Sequence, residues 1–247
     1  CDYSSKRNGD NLEGLYEMHA HILADVDDGA RNIEETKEIL KLEYADGVRK
    51  IFLTPHYRKG MFETSEDDIL KQYEAAKEIA KEIDEDFELI LGCEFYASGD
   101  IEVLQNEPTR TLGNTNFVLL EFSDTFSYRD IQNKCYELLM NNYIPIIAHA
   151  ERYSILRKKI EYVEQIVDMG VYIQINASSI LGLDGFNMKR FCKKLMKSDL
   201  LHFVGSDVHN LTTRKPLIGK CAKYVEKVMG EEYMKKIFID NPFEIIK

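Results

Sequence analysis

The chain lacks the marks of several common protein classes. No apolar run approaches the roughly 20 residues needed to span a bilayer. Its five cysteines, Cys1, Cys93, Cys135, Cys192 and Cys221, are odd in number, scattered, and never in a CxxC spacing. That pattern fits free thiols of a reducing compartment better than a disulfide framework. Positive charge is scarce: 32 Lys and Arg stand against 43 Asp and Glu, for a formal net charge of −11. This balance argues against a nucleic-acid partner or an anionic-membrane surface. No GxGxxG follows the first strand-like run, so the dinucleotide fingerprint is missing. No repeat, low-complexity tract or Pro/Gly/Ser-rich linker divides the 247 residues, and one domain is the economical reading.

Between these absences, short apolar runs alternate with amphipathic stretches. The strand candidates are Leu15–Leu23, Lys50–His56, Phe87–Glu94, Asn116–Phe122, Ile144–His149, Val171–Asn176 and Leu201–Asp207. Each is rich in Ile, Val, Leu, Phe or Tyr and ends in or near a polar residue. Helical patterns fill the gaps: Ile33–Ala45, Ser65–Ile83, Tyr128–Asn141, Ile160–Met169, Asn187–Lys197 and Gly219–Phe238. Ser65 followed by three acidic residues is an N-cap with charges that suit the helix dipole. Regular βα alternation implies a parallel sheet covered by helices. Seven strands suggest an α/β fold of distorted (β/α)7 TIM-like barrel type, with an open doubly wound sheet as the alternative. The polar stretch 1–13 is expected to be a flexible tail, and 14–247 the folded domain.

The position of the histidines carries the functional information. Five of the six lie at or just past the C-terminal end of a strand candidate. In Met18-His19-Ala20-His21, side chains two apart point to one face, so His19 and His21 can grip one ion. Gly205-Ser206-Asp207-Val208-His209 repeats the spacing with a carboxylate first. Between them come His56, Glu94, Glu121 and the His149-Ala150-Glu151-Arg152 run, and the loop after the first strand supplies Asp25, Asp27 and Asp28. In a parallel barrel these ends converge on one rim, where active sites sit. A lone His or Glu after a strand is ordinarily a capping or hydrogen-bonding residue. Seven strand-end or loop positions offering only N and O donors are costly to bury without a compensating ion. His202 sits at the opposite end of its strand and reads as structural. An N/O donor set without thiolate suits Mn, Fe, Zn or Mg.

At these residues the sequence resembles the polymerase-and-histidinol-phosphatase (PHP) superfamily. Within it, the chain is similar to the manganese-dependent protein-tyrosine phosphatases of bacterial capsule and exopolysaccharide operons, the CpsB-like group. The segments that carry the resemblance are HAHILADVDDGA, TPHYRKGMFET, GCEFY, LLEF, IIAHAERY, QINASS, GSDVHN and IDNP. The resemblance implies a PHP fold and three divalent ions, Mn2+ foremost. It places His19, His21, Glu94 and Asp207 on the first ion. Glu94, Glu121 and His149 fall on the second, and Asp28, His56 and His209 on the third. Arg152 and Arg214 match phosphate-binding arginines. Three divalent cations against four carboxylates leave the pocket positive inside an acidic protein, which suits an anionic phosphoryl group.

The implied reaction is hydrolysis of phosphotyrosine in a protein, the implied partner an autophosphorylating tyrosine kinase of a polysaccharide export system, and the implied compartment the cytoplasm. A rival with the same fold is a small-molecule phosphatase such as a histidinol-phosphate phosphatase. KGMFET after His56 and short rim loops favour the protein phosphatase. A metal- or phosphoprotein-binding module is a further rival, and the full donor set speaks against it. The oligomeric state is left open. Because mature lipoproteins begin with cysteine, a lipid anchor through Cys1 stands beside the cytoplasmic expectation; a trimmed chain begins the same way. Cys1 and Arg7 also satisfy the Cys-x5-Arg spacing of cysteine-dependent tyrosine phosphatases. That loop must cradle phosphate between a strand and a helix, and no strand precedes this polar segment.

Overall fold

A computed structural model describes residues 12–247; Cys1, Arg7 and the proposals attached to them lie outside that range. Within it the strands are β1 (Leu15–Ala20), β2 (Val48–Leu53), β3 (His56–Tyr57), β4 (Glu88–Leu91), β5 (Glu94–Tyr96), β6 (Phe117–Glu121), β7 (Ile144–Ile147), β8 (Tyr172–Asn176) and β9 (Phe203–Gly205). All pair in parallel, in the orders β1-β2-β4 and β3-β5-β6-β7-β8-β9. The ends of the curled sheet meet at the rim. Ala20 bridges Val208, His21 N–H donates to Val208 O at 2.8 Å, and Asp207 N–H donates to His19 O at 2.9 Å. The fold is therefore a distorted α/β barrel with seven strand positions.

Two of those positions differ from the expectation. Lys50–His56 is broken into β2 and β3, and Phe87–Glu94 into β4 and β5. Pro55 has no N–H to give to a ladder, so the strand jogs there. Gly92 N–H still reaches Leu53 O at 2.8 Å, and Glu94 N–H reaches Pro55 O at 3.1 Å. The jog turns His56 and Glu94, now directly paired, toward the rim.

The helices are α1 (Ile33–Ala45), α2 (Glu66–Ile83), α3 (Ile101–Asn106), α4 (Tyr128–Met140), α5 (Ser154–Lys158), α6 (Ile160–Asp168), α7 (Ala177–Leu181), α8 (Phe186–Lys197), α9 (Ile218–Met229), α10 (Glu231–Lys235) and α11 (Asn241–Ile245). Ser65 and Ser127 cap α2 and α4 by accepting from Asp68 and Asp130 N–H. The expected helix Gly219–Phe238 is interrupted at Gly230, whose φ of 95° a helix cannot hold. The short helices α3, α5, α7 and α11 lie outside every helix expected from the sequence.

Burial divides into two layers. Tyr16, Met18, Phe52, Leu119, Ile146 and Phe203 fill the barrel interior. Ile51, Leu53, Val118, Ile147, Ile173 and Val204 face outward onto helix residues such as Ile39, Leu40, Cys135 and Leu195. The interior packing stops short of the rim, where polar side chains replace it. Of the tail expected over 1–13, Leu12 packs against the core and Glu13 pairs with Arg49 at 3.3 Å. Among the described residues no helix is long and apolar enough to cross a membrane.

Candidate metal centre

β1 is irregular where it matters. Glu17 pairs with Ile51 and Ala20 with Leu53, so Met18 and His19 together stand opposite the single Phe52. Such a bulge re-aims side chains: Met18 stays in the interior cluster while His19 turns to the rim beside His21. The approach is close. A Cβ on Gly205 would sit 2.5 Å from His19 Cβ, and one on Gly29 would sit 2.0 Å from His21 O. Only glycine fits at either position.

His19 Nε2 and His21 Nε2 lie 3.0 Å apart. Glu94 Oε2 is 3.1 and 3.2 Å from them, and Asp207 Oδ1 is 3.6 Å from each. Edges of this length separate ligand atoms held about 2.0–2.2 Å from one shared cation. Glu94 Oε2 is buried and makes no hydrogen bond, although a third imidazole, His56 Nδ1, also lies 3.0 Å away. Glu94 Oε1 meets His149 Nε2 at 2.8 Å, and Glu121 Oε2 lies 3.7 Å from His56 Nδ1. On the outer side Asp28 Oδ1 approaches His56 Nε2 at 3.5 Å and His209 Nε2 at 3.4 Å.

The structure thus gathers all nine donors anticipated from sequence. Their grouping is less partitioned than the three-ion assignment, because His21 also joins Asp28, His56 and His209, and His56 also joins Glu94 and Glu121. Electrostatics point the same way. Burial draws His56 down to about 4, whereas burial and the neighbouring Glu94 push Glu121 up to about 8. Burial opposes charge on His21, yet Asp27 and Glu94 raise it to about 10. Like groups are forced to opposite protonation states in one small volume. A shared divalent cation is the charge that relieves both strains, and the residues present fit it.

Several residues stand behind the donors and position them, and of these only Asp27 is among the rim carboxylates read from the sequence. Asp27 Oδ2 accepts His21 Nδ1–H at 2.7 Å and His56 N–H at 2.9 Å, leaving His21 Nε2 to face the donors. Gln174 Oε1 accepts His149 N–H at 2.6 Å and lies 3.4 Å from His19 Nδ1. Tyr153 Oη lies 3.2 Å from His149 Nδ1 and accepts Phe122 N–H at 3.0 Å. Asn176 Nδ2 donates to Asp207 Oδ2 at 3.0 Å. Glu17, pushed up to about 7 by burial, takes the N–H groups of His19 and Ser206 at 2.9 Å and seams β1 to β9. A sequence signal existed for Gln174 and Asn176, polar residues two apart in an otherwise apolar strand.

Above the donors opens a cleft of about 330 Å³. Arg152 and Arg214 line it, reaching Asp207 at 2.8 and 2.5 Å. Arg152 does not pair with its neighbour Glu151, which accepts from Asn176 N–H and Ser179 Oγ. A third arginine, Arg58, also lines the cleft and stacks over Tyr96 at 4.1 Å. Phe62 lies flat on His56, 4.9 Å between centroids, and Met61 beside it is 62% exposed. His202 is remote from all of this: its Nδ1 accepts Ile173 N–H. Cys93, Cys135, Cys192 and Cys221 are buried free thiols.

A parallel barrel whose rim gathers imidazole and carboxylate donors beneath arginines defines a metal-dependent hydrolase. The chain belongs to the capsular polysaccharide synthesis family CpsB/CapC, which it matches over residues 15–247. It is 40% identical over 239 residues to the tyrosine-protein phosphatase CpsB of Streptococcus agalactiae serotype V, covering 94% of this chain and 98% of that one. The tyrosine-protein phosphatase YwqE of Bacillus subtilis is 32% identical over 222 residues, covering 88% and 86%. A crystal structure from work on YwqE and the CpsB of Streptococcus pneumoniae, described as unique metal-dependent tyrosine phosphatases, superimposes with a TM-score of 0.80. Its identity is 28%, and it covers 89% of this chain and 90% of its own.

Proposed function

We propose that the protein is a metal-dependent protein-tyrosine phosphatase that releases inorganic phosphate from phosphotyrosine on a protein of capsule or exopolysaccharide assembly. One observation carries the reading: nine N and O donors converge beneath a cleft lined by arginines. His19, His21, Glu94 and Asp207 would hold one ion; Glu94, Glu121 and His149 a second; Asp28, His56 and His209 a third. Mn2+ is the favoured metal, with Fe, Zn and Mg compatible with the same donors. Bound there, divalent ions supply Lewis acidity and lower the pKa of water from 15.7 to about 7.

The chain's own residues do the rest. Arg152 and Arg214 present N–H forks to the non-bridging phosphoryl oxygens and hold phosphorus in line for water. The new bond joins water oxygen to phosphorus as the bond to tyrosine oxygen breaks. Tyrosinate, with a phenol pKa of about 10, leaves without a strong acid and takes a proton from solvent. Phe62 and Met61 give the mouth an apolar side on which an aryl group can rest. The working unit is the domain 14–247, the compartment the cytoplasm, and the partner an autophosphorylating tyrosine kinase of polysaccharide export.

The test is turnover of a phosphotyrosine peptide and of histidinol phosphate, before chelation, after it, and with Mn2+ restored. The reading expects peptide hydrolysis that chelation abolishes and Mn2+ restores. Undiminished activity after exhaustive metal removal refutes it, and preference for histidinol phosphate moves the substrate to the small-molecule class.

A further inference from the structure

A local departure from the chain's acidic character lies outside the cleft. A groove of about 600 Å³ runs between α5 and α8. Among the described residues, six cations line it, Arg157, Lys158, Arg190, Lys193, Lys194 and Lys197, and no Asp or Glu does. Its apolar floor includes Phe191, which is buried. Arg190, Lys194 and Lys197 recur at helical spacing on one exposed side of α8.

Such a stripe has a cost. Like charges three and four residues apart destabilise a helix by roughly 0.2–0.5 kcal/mol per pair. Several lysines of α1 and α2 avoid it: Lys41, Lys77 and Lys81 each pair with a glutamate one turn away. Among the described residues, none of the four α8 cations that line the groove is paired with a carboxylate. In a chain of net charge −11, six uncompensated cations around one groove are a feature that packing alone does not require.

The groove shares a chain segment with the candidate centre. It begins at Ser154, two residues beyond Arg152. Arg157 donates to the backbone oxygens of Glu151 and Arg152 at 2.5 and 2.6 Å, fastening the groove wall to the segment that carries the cleft arginine. Beside the rim end of α8, Leu183 and Phe186 are 61% and 78% exposed.

We propose that this groove docks an acidic segment, rich in Asp and Glu, of the phosphoprotein whose phosphotyrosine enters the cleft. The proposal rests on the phosphatase reading for the identity of the partner. Carboxylates on the segment supply the counter-charges that the groove-lining face of α8 lacks. Contacts of this exposed kind act chiefly on association rate and on its salt dependence.

The experiment compares the full chain with the triple variant Arg190→Glu/Lys194→Glu/Lys197→Glu, all exposed positions, and with the milder Arg190→Gln/Lys194→Gln/Lys197→Gln. Three substrates are used at low salt: p-nitrophenyl phosphate, a neutral phosphotyrosine peptide, and one flanked by several Asp and Glu. The expected result is a KM for the acidic peptide raised about tenfold or more by charge reversal, less by neutralisation, with the other two substrates unchanged. Equal shifts for acidic and neutral peptides, or no shift, overturn the proposal. Fluorescence anisotropy with the unphosphorylated acidic peptide gives a readout independent of turnover. If the wild type binds it and the variants do not, the acidic-segment site stands even where no phosphopeptide is hydrolysed, and only the phosphatase reading falls. Binding of phosphatidylserine vesicles through the same lysines, with no discrimination between peptides, assigns the groove to a membrane surface and overturns the docking role.

Discussion

Replacing Asp27 by Asn removes one negative charge while preserving shape, and the hydrogen-bond pattern fixes the outcome. Asp27 accepts three bonds: Oδ2 from His21 Nδ1 and His56 N–H, and Oδ1 from Gly29 N–H at 2.9 Å. An asparagine has one acceptor oxygen and one donor NH2. If the oxygen faces His21, the NH2 confronts Gly29 N–H. If it is flipped, the NH2 confronts His56 N–H and donates to His21 Nδ1, so the ring proton moves to Nε2, the atom that faces the candidate centre. Either arrangement strands a buried donor, at about 1–3 kcal/mol of stability. The flipped one also blocks a ligand atom.

Loss of a hydrogen-bond partner behind a ligating histidine costs about 10–100-fold in metal affinity or activity, equivalent to about 1.4–2.8 kcal/mol. The assay is metal retained after dialysis against graded chelator, together with the Mn2+ concentration that half-restores phosphatase activity. The expected Asp27→Asn protein is folded by circular dichroism and saturates only at 10–100-fold higher Mn2+. Wild-type affinity in a destabilised variant would show that Asp27 merely anchors the loop, and the tautomer argument would be wrong.

Arg152→Ala is expected to lower kcat on the order of 100-fold with metal content retained, and Arg152→Lys to recover only part of it, because a lysine lacks the two-pronged fork; wild-type kcat or loss of metal in both is the contrary outcome. Cys93→Ser is expected to keep most activity, and iodoacetamide to leave the wild type active, since that thiol is fully buried and pushed up to about 12 by burial. His202, drawn down to about 4 by burial and Lys236, stays neutral in the fold while the unfolded chain binds a proton near pH 6.5. Stability from this group is therefore full above pH 6.5, falls as pH drops toward 4, and amounts to about 3 kcal/mol at most. Urea titrations at pH 7 and pH 4.5 check it: His202→Gln should lose less stability between the two than wild type, and equal losses would rule the assignment out.

The donors were legible because type and place coincide: a histidine at a strand's C-terminal end is visible in a linear pattern once the strand is. His19, His21, His56, His149, Asp207 and His209 all announce themselves in this way. The bulge at Met18-His19 left no such mark, since register is a property of two strands. Asp27 was hidden for a related reason. Among Asp25, Asp27 and Asp28, only the path of the loop decides which carboxylate backs His21 and which faces outward. Helices α5 and α7, five residues each, are too short for a 3.6-residue period to show. With α5 unforeseen, the α5–α8 groove had only one visible wall. Pro55 and Gly92 lie inside apolar runs that read as single strands, and the jogs they cause emerge only when neighbouring strands must stay in register.

The rim is assembled at the expense of the fold beneath it. His149 and Asp207 occupy left-handed backbone conformations, φ 34° and 55°, which histidine and aspartate tolerate better than branched residues. Both are held there by the sheet itself: His149 N–H by Gln174 Oε1, and Asp207 N–H by His19 O. Glu17, Glu43 and Glu151 are buried carboxyls whose pKa values burial drives upward, a further opposition to folding. Glu17 and Glu151 return part of it by accepting N–H groups at the β1–β9 and β7–β8 junctions. The apolar interior around Phe52 and Phe203, together with the larger helix-facing layer, must supply the remainder. Strain and buried charge concentrate where the strands end because there the backbone can leave the ladder and still be satisfied. A cation bound by the native arrangement and not by the unfolded chain adds to stability as RT ln(1 + L/Kd), rising with its free concentration L. The donor cluster that opposes folding when its charges stand alone thus becomes a contributor to folding once its ligand is supplied.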